Sequence, residues 1–233
     1  MALTSWRQVT GGFFRNHLYL LLGLFVLATL VAVGSPQTEM WPAGAAGAVA
    51  SYVGSVCWLY RKPRAGIASL YLIAAIALGA AWYGAAGHLT PASGPGARAC
   101  WWLDPLTGGL VLGVTLAAML LGHWFLNTPT MQLAPLRKLI VIMVLALAAR
   151  AAVSGSGLAL AISAGGAHLR PWFLLLRWLS GIAAPLVLAW MAWRTLDVPN
   201  TQSATGILYV AVITTFTGEL MAQLLSAHAA FPL

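Results

Sequence analysis

The feature that most constrains this chain is the length of its unbroken apolar runs. "LYLLLGLFVLATLVAVG", Leu18 to Gly34, is the first, and six more follow at Ala43–Tyr60, Ile67–Gly87, Pro105–Leu126, Leu136–Ile162, Pro171–Trp193 and Gly206–Ala227. Each is about as long as a helix must be to cross a bilayer, roughly 17–25 residues. The runs are continuous and do not alternate, which selects helices over barrel strands. Only 7% of the 233 residues are charged and 61% are hydrophobic, against roughly 25% charged in soluble domains. In lipid every backbone polar group must be satisfied within the segment. The sequence therefore predicts an all-α polytopic bundle of seven transmembrane spans, forming a single integral membrane domain over residues 1–233. The lipid bilayer is its main partner.

The formal net charge of +8 does not point to nucleic acid, because the basic residues sit in short loops, where they set orientation. Arg7 and Arg15 precede the first run, Arg61, Lys62 and Arg64 join the second and third, Arg137 and Lys138 open the fifth, and Arg194 closes the sixth. All of these fall on one side if the N-terminus is cytoplasmic, leaving Arg98 and Arg170 opposite. The expected topology is N-terminus cytoplasmic and C-terminus outside, in a bacterial cytoplasmic (inner) membrane. Trp41, Trp101, Trp102 and Trp172 then mark the outer interface, and Trp58, Trp124 and Trp193 the inner one. The basic, then apolar, then small-residue order of the first run also fits a cleaved signal peptide; its length favours a retained helix. On the second run Ala43, Gly47, Ser51 and Ser55 recur every fourth residue, a spacing that brings two helix backbones close and predicts a buried face.

Four charges lie within or at the mouth of apolar runs: Asp104, Arg150, Arg177 and Glu219. Such groups normally face the bundle interior, paired or in a wet cavity. Their depths can be compared at 1.5 Å per helical residue. Arg150 is about 20 Å above Arg137, Glu219 about 20 Å above Gly206, and Arg177 roughly 9 Å below Pro171. With a core about 30 Å thick, all three reach one level in the outer half, with Asp104 capping it. This predicts one polar cluster that binds a ligand or relays protons, with Thr217 either a further donor or bonded back to its own helix. "RAAVSGSG", Arg150 to Gly157, suggests a break in the fifth helix of the kind that lines transporter sites. The competing reading is a set of ion pairs that merely fasten helices together.

His123, at the foot of the fourth run, is placed at inner headgroup depth beside Trp124. With His17, at the start of the first run, it is a candidate axial ligand pair for haem b. His88, His168 and His228 belong to the outer face. The stretch "ARACWWLDPLTGG", residues 97–109, resembles the tryptophan-rich outer loop of the haem-handling proteins of cytochrome c maturation at Trp101, Trp102, Asp104 and Thr107. The repeated W-x-W-D core is missing, and an interfacial tryptophan belt explains the same residues.

No Walker loop, dinucleotide fingerprint, H-E-x-x-H, serine nucleophile or metal-binding carboxylate set is present, so no catalytic or metal-ligating residue is assigned. Whether the chain is an enzyme stays open. Three functions remain: a membrane subunit of a respiratory or electron-transfer assembly that contacts quinone or haem beside other membrane subunits, a small-solute transporter or channel, and a structural subunit without chemistry.

Overall fold

The computed structural model describes residues 9–35, 38–89, 94–127, 131–165, 170–198, 200–227, 229 and 231–233. Among them the long elements are all helices: α1 Gly11–Val33, α2 Trp41–Leu59, α3 Pro63–Ala86, α4 Pro95–Asn127, α5 Ala134–Ser163, α6 Pro171–Asp197 and α7 Thr201–Ser226. All but α2 are long and apolar enough to cross a membrane. The alanine-, glycine- and serine-rich α2 has 19 residues and a buried stripe in place of an all-round greasy surface. His168 and His228 lie outside the described residues.

Proline sets most of the helix starts. Pro42, Pro63, Pro95, Pro135 and Pro171 each occupy the first or second position of a helix. There the missing N–H costs nothing and the fixed φ is already helical. α7 starts differently, with Asn200 Oδ1 accepting the Ser203 backbone N–H at 3.0 Å. Two expected boundaries move. α1 begins seven residues earlier than the apolar run, at Gly11, so His17 lies in its second turn. α4 begins at Pro95, and Pro105 is inside it. Pro105 therefore does not open the fourth span, and the tryptophan-rich stretch is helix and not loop.

The expected break at Ser154–Gly157 is absent, and α5 is continuous to Ser163. The irregular turn is in α6, where Leu179–Ala183 forms a π-turn between two α-helical segments. Pro185 explains its position. In a straight α-helix the Pro185 ring would clash with the Gly181 carbonyl four residues back, and a widened turn relieves that conflict.

The chain divides into two compact units, Met1–Tyr83 and Gly84–Leu233. In the first, α1 packs along α2. Of the four residues in that spacing Gly47, Ser51 and Ser55 are buried, while Ala43 is half-buried and its neighbour Gly44 takes the buried position. A Cβ on Gly44 would stand 3.1 Å from the Thr29 backbone nitrogen, and one on Gly47 would enter the Phe25 ring. In the second unit α4 packs on α5 and α7, and α7 also packs on α6. The chain after α7 folds back, so that the Leu233 amide donates to Ser226 Oγ at 2.9 Å and Pro232 lies over Gly157.

Replacing Gly47 by leucine is expected to destabilise the first unit by about 1–3 kcal/mol, the usual cost of overpacking. Gly79→Leu, where no atom lies within 4 Å of a Cβ, should leave stability unchanged. Thermal melts of the purified protein in detergent measure both.

Candidate functional site

A guanidinium removed from water needs its donors matched by acceptors, and the second unit matches those of Arg150 almost completely. Arg150, on α5, has no exposed surface. Its Nε donates to Glu219 Oε1 at 2.9 Å and its Nη2 to Glu219 Oε2 at 2.7 Å. This two-pronged geometry suits a planar guanidinium and a carboxylate. On its other edge Nη1 donates to Asp104 Oδ1 at 2.5 Å, with Thr107 Oγ1 and the Asp104 carbonyl at 3.5 Å. Asp104 and Thr107 come from α4 and Glu219 from α7, so one side chain ties three helices.

Arg177 brings in the fourth helix. It too is fully buried. Its Nη2 donates to Ser154 Oγ at 2.8 Å and lies 3.5 Å from Glu219 Oε1. Its Nε reaches the Leu233 carbonyl at 3.5 Å. Nη1 is buried and has no acceptor among the described residues. The four charges balance, with two guanidinium groups against the carboxylates of Asp104 and Glu219, which are 7% and 4% exposed. Asp104 thus supplies the second negative charge that Arg150, Arg177 and Glu219 alone would lack.

Small residues make the room. A Cβ on Gly108 would sit 3.0 Å from Glu219 Oε2 and 3.6 Å from the Arg150 guanidinium carbon. Where α6 crosses α7, Gly181 faces Gly218 so closely that a Cβ on Gly218 would collide with the Gly181 backbone, and one on Gly181 would stand 3.1 Å from the Gly218 Cα. The same Gly181 position borders Arg177 Nη1, so the π-turn, the glycine crossing and the unmatched donor occupy one place.

The structure brings together Asp104, Arg150, Arg177 and Glu219, and leaves Thr217 out. The Thr217 hydroxyl donates to the Ile213 carbonyl at 2.9 Å, back into its own helix, the alternative to a role in the cluster. Ser154 and Thr107 take part instead. Ser154 lay in the stretch read as a break, and its use as a hydrogen-bond acceptor for Arg177 depends on helix rotation, which spacing alone does not set. The π-turn had a legible signal in Pro185, inside an apolar run.

The two histidines have different surroundings. His17 is 6% exposed, and its Nδ1 lies 3.0 Å from the Phe13 carbonyl, leaving Nε2 buried without a partner. An imidazole held through Nδ1 in this way can present Nε2 to a metal. His123 is exposed, with its Nδ1 3.3 Å from the Tyr209 hydroxyl. His17 belongs to the first unit and His123 to the second. Among the described residues no three of His, Cys, Asp and Glu gather as a metal site. On the tryptophan-rich stretch, Trp101 is buried and stacks on His88 with ring centroids 4.2 Å apart, while Trp102 is exposed. Cys57 and Cys100 are free thiols.

These features define an α-helical protein whose helices suit a bilayer and whose polar core is an arginine–carboxylate network. Set against family models, curated proteins and solved structures, the chain has no significant match.

Removing one member of the network leaves a buried charge unmatched, which costs about 3–5 kcal/mol. Glu219→Gln and Arg177→Gln should each lower stability strongly. The double variant keeps Arg150 with Asp104 and should lose less than the two singles combined, by about 1 kcal/mol or more. Thr217→Val should stay within about 0.5 kcal/mol of the parent. Thermal denaturation of the four variants beside the parent, in one detergent, checks the set.

Proposed function

We propose that this chain is an integral membrane subunit of an electron-transfer assembly, with its second unit contacting a quinone-type ligand through the arginine–carboxylate cluster. The supporting observation is Arg177 Nη1, a buried charged donor with no acceptor among the described residues. A network that served only to fasten helices would gain by filling that position, since an unmatched buried donor costs about 1–3 kcal/mol, and more when charged. A carbonyl oxygen is the simplest acceptor for it. Glu219, 3.5 Å from the same guanidinium, is the group that would exchange a proton with a reduced quinone. The neighbouring π-turn supports this reading, because such turns recur at functional sites.

In this proposal the N-terminus is cytoplasmic, all seven helices cross the bacterial inner membrane, and other membrane subunits complete the electron path. The loop arginines and lysines support the orientation through their one-sided distribution. Haem b is the other cofactor considered. His17 suits an axial ligand by its free Nε2, whereas His123 is exposed and directed to Tyr209, so quinone is preferred.

A structural role is the second reading, favoured by the equality of positive and negative charges in the cluster. Solute transport rests on Arg150 beside a Ser/Gly-rich break with Arg177 and Glu219 at one depth; Ser154–Gly157 is continuous helix, so only the shared depth supports it.

The test is the content of the protein purified from its native membrane in mild detergent. The proposal expects quinone in the organic extract, and at least a tenfold loss in Arg177→Gln with helix content retained. A tenfold loss corresponds to about 1.4 kcal/mol, close to the lower end of the range for one charged hydrogen bond. A Soret band abolished by His17→Ala or His123→Ala would move the assignment to haem. If Arg177→Gln alters only stability or assembly, the structural reading stands.

A further inference from the structure

The first unit has its own charged feature, at the end opposite to Glu39. Among residues 1–83, Glu39 is the only acidic residue, and it accepts from the Tyr83 hydroxyl at 2.6 Å. It lies just before α2. At the other end of α2, about 28 Å away for a helix of this length, is a cavity of about 480 Å³ lined by Gly11, Gly12, Arg15, Trp58, Arg61 and Pro63. That volume falls in the range of small-ligand sites, roughly 300–1,000 Å³.

The lining combines two unlike surfaces. Arg15 and Arg61 supply positive charge from separate elements. Arg15 Nε is buried and has no partner among the described residues. Arg61 is held at φ 55°, the left-handed region that a residue with a side chain seldom enters. The first turn of α1 adds Gly11 and Gly12, with no side chain capping it, so a ligand oxygen can come close to the backbone. The floor is apolar: Trp58 is stacked on Phe14 with centroids 4.3 Å apart and planes 6° from parallel.

We propose that this cavity binds the phosphate of an anionic phospholipid headgroup. Arg15 and Arg61 pair with the phosphate oxygens, a contact that guanidinium groups make with two parallel donors. The Trp58 ring then lies under the glycerol and the first acyl carbons. Free phosphate would use the arginines equally well, but it has no use for the aromatic floor. The site is independent of the arginine–carboxylate cluster, which belongs to the other unit.

Native mass spectrometry of the full chain, loaded with equal phosphatidylglycerol and phosphatidylcholine, tests this. The expected result is about tenfold preferential retention of phosphatidylglycerol. Arg15→Gln with Arg61→Gln should abolish the preference, while Lys62→Gln with Arg64→Gln, an equal charge loss outside the lining, should preserve it. A pocket variant that keeps the parent's preference for phosphatidylglycerol overturns the proposal, and so does a control pair that loses it to the same extent as the pocket variant. If the glutamine pair does not fold, Arg15→Lys with Arg61→Lys serves instead. That pair keeps the charge but loses the two-pronged geometry, so weakened preference supports the site and unchanged preference overturns it. A separate arm adds inorganic phosphate. If phosphate alone stabilises the protein as much as the lipid does, the lipid assignment falls and free phosphate takes its place.

Discussion

Arg150 is the point on which the second unit turns. A guanidinium buried at 0% exposure brings a large desolvation cost, and only charged partners in good geometry offset it. That demand fixes where α4 and α7 must lie, because Asp104 and Glu219 have to meet the two edges of one planar group. It also explains why Gly108 is small, and why Glu219 can reach a second arginine without leaving the first.

The Arg177 side is less complete. Its ion-pair contact with Glu219 is longer than the Arg150 contacts, at 3.5 Å against 2.7 Å, and one donor is unmatched. The two arginines are therefore not equivalent. Arg150 reads as the fastening and Arg177 as the group with capacity to spare. The π-turn beside Arg177 and the glycine crossing of α6 and α7 place the irregular backbone on the same side. A ligand-contact role draws on that asymmetry, and a purely structural role gives no reason for it.

Much of this was legible in the residues, and what was not has physical causes. Run length and composition give the helical class directly, since nothing else satisfies the backbone in lipid. Counting residues along three spans put Arg150, Arg177 and Glu219 at one depth, because helical rise is nearly constant. Depth says nothing about rotation, however, and rotation separates Ser154, which meets Arg177, from Thr217, which bonds back to its own helix. Proline misled at Pro105, because a proline marks a helix start only when no helical turn precedes it. At Pro185 it carried information about the π-turn that an apolar run conceals. Serine and glycine at 154–157 suggested weakness, yet small residues in lipid equally permit close packing, and here they receive Arg177 and Pro232.

The central claim is that ionisable side chains from separate helices meet in one buried, charge-balanced network. Solid-state NMR in lipid, with label in the arginine guanidinium and glutamate carboxyl groups, measures it directly. Only Glu39 and Glu219 contribute glutamate signals, and Glu39→Gln removes the first. The account predicts a guanidinium-to-carboxyl carbon distance of about 4 Å, as expected for a two-pronged pair, that is lost in Arg150→Gln, where only the longer contact with Arg177 remains. A Glu219 carboxyl with no arginine within about 6 Å would contradict it.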